Sequence, residues 1–331
     1  MKNEFFELVG GLFGLKNESR FFDYDRKRFA RHSGLTNPSA RQSLLSSITI
    51  DYHVLEKGLT MPNRRLGFGK DRVRHLISLL NRCSREFGIT DDVAVHAVGV
   101  LRAYREIHDV NFVKNDHDKD YWTSIDGFLD RYPSIPAVCQ LHFTRERFFA
   151  DRNADFRRLA FARHSVRNYA ARELPVERLR RAVELASTAP SACNRQPCRV
   201  HCVTDANTIA DVLKLQGGCR GFAALTNKLL ILTSDLECAQ KGRERNDVYT
   251  NGGIFLMNLC YALYHEEVAH CILNWSRTPK EDLKLRKLVA MKPSESVVAV
   301  LSCGEAPDEF DVAVSPHKSV DETFVLHDRK A

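Results

Sequence analysis

Hydrophobic positions in the first 150 residues recur at the spacing of helix faces. From Val73 onward they predict an amphipathic helix, because apolar side chains three and four positions apart lie on one side. A second helix is predicted after Thr90, its N-cap, with Asp91 and Asp92 in the first turn. The apolar positions of the two faces are Leu76, Ile77, Leu80, Cys83 and Phe87, then Val93, Ala97, Val100, Leu101, Tyr104 and Ile107. Residues 1–150 are therefore expected to form a mainly helical region.

A stretch punctuated by glycine and proline, Tyr52–Lys70, precedes these helices. It predicts a short helix that ends at Gly58 and a long loop after it. His53, Glu56 and Lys57 lie at helical spacing, so they could form the wall of a polar pocket. An ordinary helix with one hydrated face explains the same spacing. His53 is kept as a candidate substrate-pocket residue.

The pattern changes after residue 150, where short apolar strands alternate with helices. The strands are predicted at Cys198–Thr204, Leu229–Ser234, Val268–Leu273 and Val297–Cys303, and the helices at Val176–Thr188 and Gly253–Tyr264. The second of these helices is apolar nearly all round, which is typical of a helix buried in a core or a subunit interface. This order predicts an α+β protein with a layered sheet, divided into residues 1–150 and 151–331.

Composition narrows the class of ligand. The chain has 331 residues, 44% hydrophobic and 27% charged, which is ordinary for a globular protein with a sizeable core. The net charge is +7, and residues 145–181 hold eleven arginines against five acids. Such a cluster suits nucleic acid, an acidic membrane surface or a phosphorylated ligand. Because no nucleic-acid-binding signature accompanies it, a phosphate-bearing small molecule is favoured and no nucleic acid partner is expected.

The ten cysteines lack the paired C-x-x-C spacing of a zinc site, so no metal is expected. Several lie in apolar runs, where a thiol acts as a small core residue, and the chain is interpreted as reduced and cytoplasmic. No apolar run reaches the roughly 18 residues of a membrane span, and the N-terminus lacks the layout of a signal peptide. An apolar stripe from Phe5 to Phe13 is interpreted as packing on a partner surface.

A polar loop bracketed by two prolines separates a predicted helix from a predicted strand. Pro190 and Pro197 fix the backbone at its ends. Between them, Ser191, Asn194 and Gln196 supply a hydroxyl and two carboxamides, whose donors and acceptors suit the edge of a planar heterocycle. A capped turn that satisfies its own backbone is the simpler interpretation of this loop alone.

A second segment lies upstream, Arg163-His164-Ser165-Val166-Arg167-Asn168-Tyr169. It sets two guanidiniums and a hydroxyl within five residues. Arginine forks match phosphate oxygens bidentately, so this segment could hold a phosphate while the loop holds a ring. Ion pairs with carboxylates of a neighbouring helix are the alternative role for the two arginines.

Together, the two segments resemble the nitroreductase family of FMN-dependent oxidoreductases. Members typically have an R-x-S-x-R run followed, after one helix, by a loop like P-S-x-x-N-x-Q-P. The resemblance covers roughly residues 157–331 and leaves the helical region unexplained. It implies a central mixed sheet wrapped by helices, in an intertwined homodimer with FMN at the subunit interface.

The resemblance also implies residues for the cofactor. The implied contacts of the phosphate are Arg163, Ser165, Arg167 and Lys318, and those of the flavin are Pro190, Ser191, Asn194, Gln196, Ile272, Leu273 and Asn274. Two positions depart from the family. Cys198 stands where a bulky aromatic is common, and Asn274-Trp275 replaces a glycine pair. Cys198 and Trp275 are therefore candidates for the substrate pocket.

The implied activity is hydride transfer from NADH or NADPH, through flavin N5, to an unidentified small-molecule acceptor in ping-pong fashion. No side chain stands out as acid, base or nucleophile, which agrees with chemistry carried by the flavin. The helical region would cap the pocket or bind a partner. Two alternatives remain open: an oxygen-linked flavin enzyme of flavin-consuming, dehalogenating or dehydrogenase type on the same fold, and a non-enzymatic scaffold that binds anions.

Overall fold

The computed structural model describes residues 18–108 and 110–327. The helices are α1 (18–32), α2 (Arg41–Leu59), α3 (Lys70–Glu86), α4 (Asp92–Glu106), α5 (Val110–Asn115), α6 (Lys119–Leu129), α7 (Arg145–Phe148), α8 (Phe156–Ala162), α9 (Val176–Ala186), α10 (Ala206–Gln216), α11 (Asp247–His265), α12 (Pro279–Leu288) and α13 (Val320–Thr323). The strands are β1 (Leu141–Thr144), β2 (Cys198–Val203), β3 (Lys228–Asp235), β4 (Ala269–Asn274), β5 (Glu295–Gly304) and β6 (Glu309–Val312). Helices and antiparallel strands together confirm the α+β class.

The chain divides into two compact units. The sheet unit comprises Met1–Thr36 and His142–Asp311, and the helical unit comprises Asn37–Leu141 and Val312–Ala331. This division differs from the expected 1–150 and 151–331, because each end of the chain joins the unit formed by the other half. Residues 142–150 fall in the sheet unit, which includes most of the two-stranded sheet formed by β1 and β6. The apolar stripe from Phe5 to Phe13 lies outside the described residues.

The helical unit agrees with the periodicity of the sequence. The predicted apolar faces of α3 and α4 contribute to one buried core together with residues of α2 and α6. The N-cap of α4 is Asp91 rather than Thr90, because the Asp91 carboxylate accepts from the backbone N–H of Val93 at 3.0 Å. The helix expected to be short is the 19-residue α2, which continues one residue past Gly58.

The sheet unit contains the four predicted strands within two residues of their expected ends. Its sheet has the order β2-β3-β5-β4, and all three pairings are antiparallel. The mixed sheet implied by the resemblance is therefore not formed by the described residues of one chain. Helices α9 and α11 bury their apolar faces with Leu230, Leu232 and Leu301 of the central strands.

Helix α11 begins at Asp247, six residues before its predicted start, and includes two adjacent glycines. Gly252 lies against β5, where an added Cβ would approach the Val298 side chain to 2.5 Å. The inner side of α11 is buried as predicted, whereas Ile254 and Met257 are 41% and 36% exposed.

Candidate functional site

The proline-bracketed loop, Pro190–Pro197, has an unusual backbone. Cys193, Asn194 and Gln196 have φ values of 52°, 55° and 49°, in the left-handed region that favours glycine. Each such residue costs on the order of 1–3 kcal/mol and persists only where its surroundings hold it in place. Backbone strain of this kind clusters at functional sites, so the loop is a candidate part of a functional site.

Arg195 is the main anchor of this loop. Its Nη1 donates to the backbone oxygen of Cys238 at 2.5 Å and to Glu244 at 2.8 Å, and its Nη2 donates to Asp247 at 3.1 Å. Its Nε also donates to the backbone oxygen of Ala192 at 3.1 Å. The guanidinium thereby joins the loop to the beginning of α11 and to the turn before it.

The polar side chains of the loop bond largely to one another. The Gln196 backbone N–H donates to Ser191 Oγ at 2.9 Å, and the Gln196 amide donates to Asn194 Oδ1 at 3.3 Å. Asn251 of α11 is buried and accepts from the Ala192 backbone N–H at 3.0 Å. The capped turn considered from the sequence is thus present, and the carboxamides of Asn194 and Gln196 are at its exposed tip.

A cavity of about 110 Å³ opens beside the loop. Its lining includes Pro190, Ser191, Gln196, Cys198, Asn251 and Phe255. The structure therefore brings Cys198 together with three of the predicted flavin contacts. Burial raises the pKa of the Cys198 thiol to about 11, so the thiol is neutral near pH 7 and behaves as a wall of the cavity rather than as a nucleophile.

The arginine segment, Arg163–Arg167, follows the end of α8. Arg167 is only 8% exposed, and Arg163 and Ser165 are half-buried. Within the described residues, none of these three side chains has a hydrogen-bond or ion-pair partner, and the Arg163 Nε atom is fully buried. Burying an unpaired cation is costly. The segment is therefore suited to an anion from outside the chain.

Six other arginines of the sheet unit differ, because they pair with carboxylates. The pairs are Arg145 and Arg178 with Glu305, Arg152 with Glu267, Arg181 with Glu266, Arg195 with Glu244 and Asp247, and Arg245 with Asp25. Among the residues that the structure describes, the ion-pair alternative considered from the sequence thus applies to these six arginines and not to Arg163 or Arg167.

The arginine segment runs beside the start of β4. The Val166 backbone N–H donates to the His270 backbone oxygen at 2.9 Å, and Ala170 forms a bridge with Glu305. His270 is fully buried, and its Nδ1 lies 2.9 Å from the Val268 oxygen. Burial lowers the pKa of His270 to about 4, and the charge of Arg163 adds to this effect.

The sheet register separates the arginine segment from the proline-bracketed loop. His270 pairs with Cys303, which pairs with Lys228, and β2 ends at the level of Leu229. Cys198, next to the loop, lies at the opposite end of β2. The two positions are therefore about 20 Å apart along the strands and about 14 Å apart across three strand spacings. Within one chain, the arginine segment and the proline-bracketed loop therefore do not lie side by side. We call these two segments the half-sites of the predicted flavin site.

The third predicted group continues along β4. Ile272 is 38% exposed, Leu273 is buried and Asn274 is exposed. The Asn274 backbone oxygen accepts from Gln216 at 2.9 Å. Trp275 is half-buried, and its indole N–H donates to Asp282 of α12 at 3.1 Å, so its polar group already has a partner. Ile272, Leu273 and Asn274 are in β4 together with His270, and Trp275 follows directly. This group therefore lies along the strand that the arginine segment contacts through Val166.

Two predicted residues belong to the helical unit. Lys318 is exposed in the C-terminal part of that unit. His53 of α2 contacts the buried Glu56 at 3.5 Å, and Glu56 also bonds His96 and the backbone N–H of Ser315. Despite its burial, these hydrogen bonds lower the pKa of Glu56 to about 2. His53 therefore takes part in a polar cluster within its own unit.

Neither a metal cluster nor a membrane-spanning helix occurs in the described part of the chain. Across residues 18–108 and 110–327, no group of three or more His, Cys, Asp or Glu side chains is placed to hold a metal ion. No helix within those ranges is long and apolar enough to cross a membrane.

The sequence did not identify two residues that position the loop, Arg195 and Asn251. Arg195 lies inside the motif, between Asn194 and Gln196, and its charge in an otherwise neutral run was the available signal. Asn251 is a polar residue in an apolar helix, which indicates a buried hydrogen bond.

The comparison with protein families finds the nitroreductase family at residues 160–220. This match contains both the arginine segment and the proline-bracketed loop, so the resemblance seen in the sequence is confirmed over this stretch. Comparison with curated proteins finds no significant match.

Solved structures with a similar layout cover about half of the chain. A nitroreductase family protein from Streptococcus pneumoniae is 18% identical, covers 52% of this chain and 100% of its own, and has a TM-score of 0.46. A candidate NAD(P)H:FMN oxidoreductase from Staphylococcus epidermidis is 15% identical over 53% of this chain and 96% of its own, with a TM-score of 0.46. A candidate nitroreductase from Desulfovibrio desulfuricans, in complex with FMN, is 19% identical over 51% and 95%, with a TM-score of 0.42.

Proposed function

We propose that this chain, which matches the nitroreductase family over residues 160–220, is an FMN-dependent oxidoreductase that takes hydride from NADH or NADPH and passes it to a small-molecule acceptor. The observation that carries the proposal is the pair of arginines, Arg163 and Arg167, that have no carboxylate partner within the described residues. A phosphate monoester supplies the two negative charges that these guanidiniums lack. Ser165 would add a hydroxyl donor to the same phosphate.

The proline-bracketed loop would hold the flavin ring. The exposed carboxamides of Asn194 and Gln196 can donate to the ring's carbonyl oxygens and accept from its N–H group. Donors aimed at the pyrimidine edge favour the reduced ring, because it carries more negative charge there. When bound, FMN would supply hydride transfer at its N5. The protein would supply position and electrostatics.

The two half-sites would meet across a homodimer. The separation of roughly 20 Å along the strands is too long for one chain to hold both ends of one FMN with its own two segments. A two-fold axis would place the arginine segment of one protomer beside the proline-bracketed loop of its partner. Each dimer would then contain two equivalent composite sites.

An apolar surface of the sheet unit supports this dimer. Ile254, Met257 and Tyr261 lie on one side of α11 at spacings of three and four residues, and Phe156 of α8 contacts the Tyr261 ring at 5.5 Å. Phe156 is itself 71% exposed. This apolar surface adjoins the arginine segment, because α8 ends at Ala162, directly before Arg163. A second copy of this chain that completes the flavin site would therefore also cover these side chains.

The test is the absorbance spectrum of purified protein, compared with an Arg163→Ala, Arg167→Ala double variant. The wild type should show the paired visible bands of flavin, released on denaturation as FMN. The double variant should bind FMN about a hundredfold more weakly, because two charge-assisted contacts are lost.

The matched control is an Arg157→Ala, Arg180→Ala double variant. It removes two exposed arginines from the same basic stretch and should keep wild-type affinity. Wild-type protein that shows no flavin bands after it is mixed with FMN and the unbound FMN is removed would rule the proposal out. In that case, salt-sensitive binding of an anionic partner would favour the scaffold alternative.

A further inference from the structure

Helix α1 contacts the turn that anchors the proline-bracketed loop. Arg245 donates to Asp25 of α1 through Nε at 2.5 Å and through Nη2 at 2.8 Å. The Arg245 guanidinium also lies 5.6 Å from the centre of the Phe21 ring. Nearer the start of α1, the carboxylate of Glu18 accepts a hydrogen bond from the Gly242 backbone N–H. Three residues of α1 thus hold the turn Gly242–Arg245.

The same turn holds Arg195 on its other side. Glu244 is adjacent to Arg245 and accepts from Arg195 at 2.8 Å, and it also accepts from the backbone N–H of Gln240 at 2.9 Å. These hydrogen bonds lower the pKa of Glu244, with that from Gln240 contributing most. A continuous series of contacts therefore runs from α1 through Asp25, Arg245, Glu244 and Arg195 to the loop.

The loop depends on this support. Three of its residues have positive φ without being glycine, and such a conformation relaxes when outside contacts are removed. Arg195 lies between Asn194 and Gln196, so any shift of its backbone moves both carboxamides. Bidentate and charge-assisted contacts such as those of Arg245 and Arg195 are the stronger class of hydrogen bond.

We propose that Arg195 is a positioning residue for the flavin-ring contacts Asn194 and Gln196, and that α1 braces it through the Asp25–Arg245 pair. The role toward flavin rests on the proposed function. The brace itself does not, because it can be measured in the protein without any flavin.

The brace is tested by amide hydrogen exchange of peptides covering residues 191–196. Asp25→Asn should speed exchange there by about fivefold, and Arg195→Met by about tenfold or more. The matched control is Asp23→Asn, since Asp23 lies on the same helix and, among the described residues, pairs with the exposed Arg26 alone. Exchange at 191–196 that is the same in Asp25→Asn as in Asp23→Asn would overturn the brace.

The positioning role is tested by titrating the same variants with FMN and with riboflavin, which lacks the phosphate. Arg195→Met should weaken both ligands by a similar factor of about ten, whereas Arg163→Ala should weaken FMN far more than riboflavin. The flavin bound to Arg195→Met should also have a more negative reduction potential, because donors to the reduced ring are misplaced. A merely structural role would leave that potential unchanged.

Two outcomes would overturn the positioning role. Riboflavin affinity and flavin potential that are unchanged in Arg195→Met would mean that the loop does not need its anchor. Wild-type protein that binds neither flavin would refute the proposed function and this role with it, while the exchange measurement would still decide the brace.

Discussion

The cost of a buried charge depends on what surrounds it, and two arginines of the sheet unit differ in this respect. Arg178 is paired with Glu305, which is itself 5% exposed, whereas Arg167 is 8% exposed and has no partner among the described residues. The first residue has its partner within the chain, and Glu305 is also paired with Arg145. Under the proposed function, the phosphate of FMN would be the partner of the second residue.

This difference predicts opposite effects on apoprotein stability. Arg178→Leu should lower the free energy of unfolding by about 3 kcal/mol, because the buried Glu305 would keep only Arg145 as a partner and the backbone oxygens of Glu266 and Glu267 would lose their donor. Arg167→Leu should leave that free energy unchanged or raise it by about 1 kcal/mol, while FMN affinity falls. Urea denaturation of both variants without flavin measures the difference. A large loss of stability in Arg167→Leu would mean that this arginine has a structural partner.

His270 gives a pH dependence of stability. It is fully buried, and its pKa is lowered to about 4 from an unfolded value of about 6.5. The unfolded chain therefore binds the proton more readily, so stability is fully present above the unfolded pKa and is lost as pH falls from about 6.5 to about 4.

At about pH 5, this group alone should cost about 2 kcal/mol relative to pH 7. The free energy of unfolding from urea titrations at the two pH values, for the wild type and for His270→Gln, isolates the contribution. A pH dependence that is the same in both proteins would show that His270 does not supply it.

At the scale of elements, the close contact of α11 with β5 depends on one glycine. Gly252→Ala should destabilise the protein by about 1–3 kcal/mol, because the new Cβ would lie 2.5 Å from the Val298 side chain. Gly127→Ala is the matched control in α6, where nothing lies within 4 Å of the added Cβ. That change should stabilise by about 0.5–1 kcal/mol. Thermal unfolding of both variants checks the opposite signs.

The pattern of apolar residues predicted these elements well, because α3 and α4 each bury one helix face and the apolar strands β3 and β5 are buried on both faces. It failed for the length of α2: the stretch from Tyr52 predicted a short helix that ends at Gly58, whereas the helix begins at Arg41 and ends at Leu59. The pattern of apolar residues also gave no information on the parts of the site that form through contacts between residues far apart in the sequence. Arg195 reaches Glu244 and Asp247 only after the chain has folded, and no local pattern encodes that contact.

The fold places the predicted site residues in separate parts of the chain and not in one cluster. The sequence placed Arg163 and Asn194 some thirty residues apart in one motif, which gave no sign that they lie at opposite ends of the sheet. The register of β2 to β5 supplied that information. Lys318 and His53 belong to the helical unit, and their roles toward a flavin stay predictions.

At the scale of the whole molecule, the proposal requires two chains for one site. A variant defective in the arginine segment and a variant defective in the proline-bracketed loop should each bind FMN far more weakly than the wild type. When both chains are present in one dimer, one of its two composite sites contains only intact segments. Binding should therefore return on mixing, without any change to either chain.

The most direct test is co-expression of the Arg163→Ala, Arg167→Ala chain with an Asn194→Ala, Gln196→Ala chain in equal amounts, followed by measurement of bound FMN. Half of the dimers would be mixed, and each would have one intact site, so we predict about a quarter of the wild-type flavin content. Flavin content no higher than in the two parent variants would contradict the composite site, and with it the claim that this chain binds FMN between two protomers.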